Sequence, residues 1–196
     1  MAGLRRHNPI LRSSRLILRS WRDNDLPAIA RMNADPRVME FMPALLDRTA
    51  SEAMVDRLQS AIDNQGFGFW AVEAPGVADF IGFVGLARPG FTAAFTPCVE
   101  IGWRLAHAYW GRGYATEAAQ TALAFGFTEL DLDEIVSFTA ELNDRSKCVM
   151  RRLGMQHYRV EDFDHPALPP GDRLRRHVLY RLSRERWLEL SVNAHG

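Results

Sequence analysis

The chain has 196 residues, 47% hydrophobic and 24% charged, with 24 Lys and Arg against 24 Asp and Glu; that is one domain's length with enough apolar material for a core, which excludes a disordered chain. Zero net charge argues against nucleic acid or an anionic membrane as the main partner, and no run approaches the ~18 apolar residues of a membrane span. Two cysteines, Cys98 and Cys148, form neither a disulfide framework nor a zinc site, and residues 1–15 carry Arg5, Arg6, Arg12 and Arg15 without the apolar run of a leader, so a soluble, reducing, cytoplasmic setting is expected.

In chain order, residues 15–19 read as a short apolar-centred strand. Asp23 or Asp25 is placed to cap a helix through Leu26, Ile29, Ala30 and Met32, with Pro27 in its first turn. Pro36 and Pro43 then break the chain into loops or short helical pieces. A second helix opens at Ser51, carries Met54, Val55, Leu58 and Ile62 at helical spacing, and ends at Gly66 and Gly68. Residues 69–72 and 80–86 form an antiparallel pair around the Pro75-Gly76 turn, and 91–97 is a loop. From Val99 the period is two: Val99, Ile101, Trp103 and Leu105 share one face, Glu100, Gly102 and Arg104 the other.

A long helix follows, with Ala115, Ala118, Ala119, Ala122, Leu123, Gly126 and Phe127 on one face. A face of small residues lets the helix lie close to a sheet. Residues 135–138 are a strand, and Asn143 or Asp144 caps a shorter helix with Val149, Met150 and Leu153 inward and Gly154 at its end. Residues 155–163 and 174–182 are expected to pair as a final hairpin around a Pro/Gly-rich loop at 166–171, and 184–190 to form a helical turn. Arg173, Arg175 and Arg176, with His177, make a basic patch that reads as a solvated strand edge. Strands and helices mix without the repeated βαβ order of a doubly wound sheet.

The stretch richest in chemistry is Tyr109-Trp110-Gly111-Arg112-Gly113-Tyr114-Ala115, between the period-two strand and the long helix. Glycine lets backbone N–H groups converge without an intervening side chain. The helix N-terminus adds uncapped donors and a favourable dipole, a combination suited to pyrophosphate. A tight turn without a ligand would use the same residues. Neither Gly-x-x-x-x-Gly-Lys-Ser/Thr nor Gly-x-Gly-x-x-Gly after the first strand is present, which counts against nucleoside triphosphate and dinucleotide sites.

The run Glu100-Ile101-Gly102-Trp103-Arg104-Leu105, followed by Trp110-Gly111-Arg112-Gly113-Tyr114-Ala115-Thr116-Glu117-Ala118, resembles the signature of the GNAT acetyltransferase superfamily, RimJ/RimL-like branch. A second block, Asn143-Asp144-Arg145-Ser146 through Leu153-Gly154-Met155, resembles that branch's Asn-x-x-Ser helix, and 15–19 and Phe80-Ile81-Gly82 fit it as well. The resemblance implies a single acetyltransferase domain over 1–196, with a core at 10–185. Its fold would be mixed α/β, a mostly antiparallel central sheet of about seven strands flanked by helices. It also implies direct attack by a primary amine, of a protein N-terminus or a small molecule, on acetyl-CoA in a ternary complex without a metal. A homodimer is compatible with it.

Carried onto this chain, the resemblance places the coenzyme on Trp103, Arg104 and Leu105, on Trp110, Gly111, Arg112, Gly113, Tyr114, Ala115 and Thr116, and on Asn143 and Ser146. The backbone at 103–105 would supply the oxyanion donor and pair with the pantetheine arm, whose amides Asn143 would bond. Glu100 is the candidate general base and Ser146 the candidate group near the sulfur, against the alternatives of a solvated or salt-bridged strand carboxylate and a serine that caps or back-bonds within its helix. Met150 stands where many relatives place a proton-donating Tyr, Trp110 where many have Gln or Arg, and Met155 where an aromatic is usual. His107 reads as a surface histidine, and Cys148 as packing. Phe41, Met42 and Trp70 are candidate walls of an acceptor pocket between the early helices and the sheet, or plain core. Two other readings remain: a non-catalytic acyl-CoA-binding module, and an RNA- or ribosome-associated protein using Arg173–Arg176.

Overall fold

In the computed structural model, which describes residues 9–193, the chain opens with an antiparallel hairpin, β1 (Leu11–Arg12) against β2 (Ile17–Arg19). Arg5 and Arg6 of the N-terminal stretch lie outside the described residues. Asp25 stands at the N-cap of the first helix, but its side chain makes no capping bond to it. Its carboxylate takes two bonds from the Arg19 guanidinium, at 2.8 and 2.9 Å, and one from the Arg22 N–H, closing a 3-10 turn at Asp23–Asp25. Arg19 and Asp25 are each 2% exposed. Arg19 also bonds Glu73 and the carbonyls of Ser20 and Asp79, so a buried charge is satisfied on every side.

Helix α1 (Leu26–Asn33) keeps Pro27 in its first turn. Helix α2 (Arg48–Gln65) begins three residues before Ser51, because Asp47 caps it by accepting from the Ala50 N–H at 2.8 Å. Ser51 is instead buried against α1, accepting from Asn33 Nδ2 at 3.1 Å. Gly66 closes α2 in the left-handed conformation.

Strands β3 (Phe69–Ala74), β4 (Ala78–Ala87) and β5 (Glu100–Leu105) form an antiparallel meander. Helix α3 (Tyr114–Thr128) crosses to β6 (Glu134–Ala140), which pairs parallel with β5. The small inner face of α3 allows the close approach that the sequence predicts: a Cβ on Gly126 would stand 2.7 Å from Ile135 Cδ1. Helix α4 (Asp144–Arg152), β7 (Gln156–His157), β8 (Phe163–Asp164), β9 (Arg176–Ser183) and α5 (Arg184–Asn193) complete the described chain.

The sheet order is β1-β2-β3-β4-β5-β6-β9-β7, with β8 also on β9. It is a mixed, mostly antiparallel sheet with nine strands among the described residues, more than sequence reading gives, because β1 is only two residues long and the expected strand at 155–163 splits. A 3-10 turn at Arg159–Glu161 separates β7 from β8, bridged by His157 Nε2 and Asp162 Oδ1 at 2.7 Å. The expected final pairing is present, with β7 and β8 both antiparallel to one edge of β9, while β6 takes the other edge. The strand-edge reading of the basic patch therefore fails, since β9 is interior. Arg173 and Arg175 precede it, and Arg175 and Arg176 pair with Asp164 at 3.1 and 3.5 Å. Among the described residues, no helix is long and apolar enough to cross a membrane.

Candidate active site

Strands β5 and β6 share a single registered pair, Glu100 with Val136, and then part. The last links are the Val136 N–H to the Val99 carbonyl at 3.0 Å and Ser137 Oγ to the Ile101 carbonyl at 2.9 Å. By the two-residue alternation of a strand, Trp103 presents its own N–H and C=O to the same gap. The next carbonyl on that edge, Leu105, accepts from the Trp110 indole N–H at 2.8 Å, which pins the glycine turn to the strand end.

A cleft of about 690 Å³ runs through this gap. Leu86 and Ile135 meet α3 at Gly126, so the side chains of Ile101, Ser137 and Thr139 turn toward α3. On that side the cleft is lined by Tyr114, Ala115 and Thr116 of α3 and by Asn143, Ser146 and Met150 of α4. On the opposite side, facing α1 and α2, it is lined by Glu100, Gly102, Arg104, Phe138, Phe69 and Phe83, with Phe41 and Met42 from the loop between the helices. Two bound molecules could thus meet in the gap from opposite faces of one sheet.

The α3 end carries the anion-binding features. Gly111 and Gly113 have φ of +73° and +80°, and Gly113 is the N-cap of α3. The first intrahelical bond runs from the Glu117 N–H to the Gly113 carbonyl at 3.0 Å, leaving the Tyr114, Ala115 and Thr116 N–H groups without helical acceptors. A Cβ on Gly111 would meet nothing within 4 Å, and one on Gly113 only Arg15 at 3.4 Å, so the turn is open above its backbone. These donors fit the pyrophosphate of coenzyme A. Arg145 stacks over the Trp110 ring at 4.7 Å and pairs with Glu40, tying α4 to the loop between α1 and α2.

Asn143 is more committed than the resemblance implies. Its Oδ1 accepts from the Ser146 N–H at 3.2 Å, and its Nδ2 donates to Thr139 Oγ1 at 3.0 Å and Ser146 Oγ at 3.1 Å. Both amide hydrogens are spent inside the protein. The residue caps α4 and orients the Ser146 hydroxyl, whose own hydrogen has no acceptor among the described residues. Met150 is 1% exposed and offers no proton to the cleft.

Glu100 has neither a salt bridge nor a hydrogen-bond partner among the described residues, and burial pushes its carboxyl up to about 7. The salt-bridged alternative therefore fails. Arg104, on the same strand face, is lowered to about 10 by burial and stays protonated at neutral pH. Trp70 is no pocket wall: it is fully buried and packs edge-on against Phe125 of α3 at 5.5 Å. His107 is exposed and lies against Trp110 at 4.9 Å. Cys148 lines the cleft rather than only packing in the core, and the Cys98 thiol is pushed up to about 11 by burial.

Sequence reading missed the residues that brace the turn. Glu117 accepts from Ser13 Oγ, Ser14 Oγ, the Arg15 N–H and the Arg15 guanidinium, and Arg15 also reaches the Arg112 carbonyl at 3.2 Å. Burial pushes the Glu117 carboxyl up, but these bonds outweigh it and hold it below its usual value. A glutamate in a helix's first turn is ordinary, so no local signal marks it.

A family model described as an acetyltransferase (GNAT) domain matches residues 15–156. A curated relative, the FsC-acetyl coenzyme A-N(2)-transacetylase of Aspergillus fumigatus, is 30% identical over 93% of this chain and 79% of its own length. Among solved structures, an acetyltransferase from Agrobacterium tumefaciens is 26% identical, covers 93% of this chain and 98% of its own, and superposes with a TM-score of 0.71. The ribosomal L7/L12 alpha-N-protein acetyltransferase RimL, solved in complex with coenzyme A, shares the fold at 14% identity and a TM-score of 0.71, over 91% of this chain and 99% of its own. Sequence signature, sheet and relatives agree: this chain belongs to the GNAT acetyltransferase family, an acyl-CoA-dependent N-acetyltransferase by membership.

Proposed function

We propose that the chain is one acetyltransferase domain that transfers an acetyl group from acetyl-CoA to a primary amine by direct attack in a ternary complex. The observation that carries this reading is the parted β5–β6 gap, with free helix N–H donors on one side and an unpartnered carboxylate on the other. Acetyl-CoA supplies an activated thioester. Its pyrophosphate would be held by the backbone of 111–116 and its pantetheine arm by the open edge at Trp103.

Glu100 is the general base. With its carboxyl near 7 it is largely ionised just above neutrality, and no cation among the described residues is paired with it. It takes the proton that the amine nitrogen loses as the carbon–nitrogen bond forms and the carbon–sulfur bond breaks. The Trp103 N–H faces the gap where oxyanion charge would gather. Ser146, oriented by Asn143, has a free hydroxyl hydrogen that can hydrogen-bond the leaving thiolate or a water beside it. A serine hydroxyl is too weak an acid to protonate a thiolate, so the sulfur departs as the thiolate and takes its proton from solvent.

The acceptor lies on the α1/α2 side, against Phe41 and Met42. The Aspergillus relative is named for an N(2) position of FsC and RimL for an alpha-N-protein position, so the acceptor class is a primary amine on a small molecule or a protein N-terminus. Thiol-detected release of coenzyme A across a panel of amines tests this. Amine-dependent release by the wild type, falling about a hundredfold or more in Glu100→Gln, is expected. Release that ignores the amine, or full turnover by the variant, would count against it.

A further inference from the structure

The acceptor side of the cleft holds two opposite charges, Glu100 and Arg104, that no ion pair among the described residues neutralises. Glu100 and Arg104 leave the same face of β5, four residues apart, so their backbones stand about 13 Å from each other. Gly102 lies between them. A Cβ there would sit 3.1 Å from Phe69 Cε1, so the Phe69 ring lies over the glycine and separates the two charged side chains. Partial burial alone shifts both groups toward their neutral forms, with no opposite charge among the described residues paired to either.

The partners of Arg104 are all neutral. Nη1 donates to Asn33 Oδ1 and Nη2 to Met42 Sδ, each at 2.9 Å, and the guanidinium lies 5.2 Å over the Phe83 ring. Asn33 is fully buried and is itself held by Ser51. A guanidinium has five N–H donors, and two are used here. A half-buried arginine lining a cleft, with three donors left and no carboxylate among the described residues, is an incomplete ion pair. The buried Arg19 shows what completion looks like in this chain, with Asp25 and Glu73 both bound to it.

We infer that the acceptor completes both charges at once: it carries a primary amine that meets Glu100 and, on the same molecule, a carboxylate that pairs with Arg104. A short apolar segment between them would lie across Phe69. This inference rests on the acetyltransferase reading and narrows it to amino-carboxylates. Either a free amino acid or the N-terminal residues of a peptide with an early acidic side chain would supply that chemistry.

The test compares kcat/KM for matched pairs in the presence of acetyl-CoA. One arm is the straight-chain series from β-alanine to 6-aminohexanoate, each beside its terminal amide. The other is short peptides with Asp or Glu at the second or third position, each beside its Asn or Gln counterpart. At least one carboxylate should exceed its neutral partner about tenfold or more, the range of a charge-assisted hydrogen bond. The arm in which this occurs identifies the source.

In Arg104→Met the ratio should fall to near one, and Arg104→Lys should restore part of it. Asn33→Asp supplies the missing carboxylate from within. It should raise KM for the favoured amino-carboxylate several-fold while leaving that of its amide less affected, a split that mere loss of packing would not produce. Neutral and carboxylate amines turned over equally by the wild type would overturn the inference and leave the acetyltransferase reading intact. No turnover of any amine, with acetyl-CoA still bound, would overturn both.

Discussion

Arg15 holds Glu117 and the Arg112 carbonyl at once, so the turn between β1 and β2 is fastened to the glycine turn across about a hundred residues of sequence. Its guanidinium also lies 4.8 Å over the Tyr114 ring. The phosphate-facing backbone is thus shaped by its glycines and held from outside by one ion pair.

Glu117→Gln should weaken acetyl-CoA binding several-fold and lower stability by about 1–2 kcal/mol, since the carboxylate gathers several bonds although Arg15 is half exposed. The Glu117 carboxyl lies below its usual value in the fold. Its contribution is therefore full above the unfolded value of about 4.3 and is lost as pH falls through the lower folded value. Urea melts of wild type and variant should converge in acid and separate at neutral pH.

Glu100 carries the opposite sign. Its folded carboxyl is near 7, against about 4.3 unfolded. Between those values the fold binds more protons than the unfolded chain, so stability falls as pH rises through that window. Glu100→Gln should be about 1–3 kcal/mol more stable than wild type at pH 8 and level with it near pH 4. In kcat/KM the wild type should show a limb centred near pH 7 that the variant lacks. A more active protein that is less stable at pH 8 is a trade confined to one side chain, readable by denaturation and rate measurements on the same pair.

Asn143→Ala and Ser146→Ala should differ. The first removes a helix cap and the bond to Thr139, costing about 1–2 kcal/mol. The second should leave the melting temperature nearly unchanged and act on kcat. Equal destabilisation by both would make Ser146 a structural residue.

Asp25→Ala leaves the Arg19 guanidinium buried with Glu73 as its one remaining carboxylate partner. A loss of about 3–5 kcal/mol is expected in chemical denaturation. Asp25 is not among the residues lining the cleft, so activity per folded molecule should persist.

What the sequence discloses is what is local. The alternation from Val99 to Leu105, the glycines at 111 and 113 and the Asn143 cap all act within a turn or a strand, and they appear where spacing puts them. The insertion of β9 beside β6 is not local, since strand order depends on which edges remain free once the meander has formed. Asp25 misleads for a related reason: a capping residue in sequence is claimed in space by a buried arginine. The solitude of Glu100 and Arg104 is likewise visible only when every neighbour is in place, because a missing partner leaves no mark in a sequence.

The central claim is that the glycine turn at the α3 N-terminus holds acetyl-CoA. Calorimetric titration of acetyl-CoA into the wild type and Gly113→Glu tests it most directly, with circular dichroism showing that the variant is folded. A glutamate at 113 would place a negative side chain where the pyrophosphate would sit and strain a residue with φ of +80°. Binding by the wild type and none by a folded variant is the predicted result. No binding by the wild type, or equal binding by both, would contradict it.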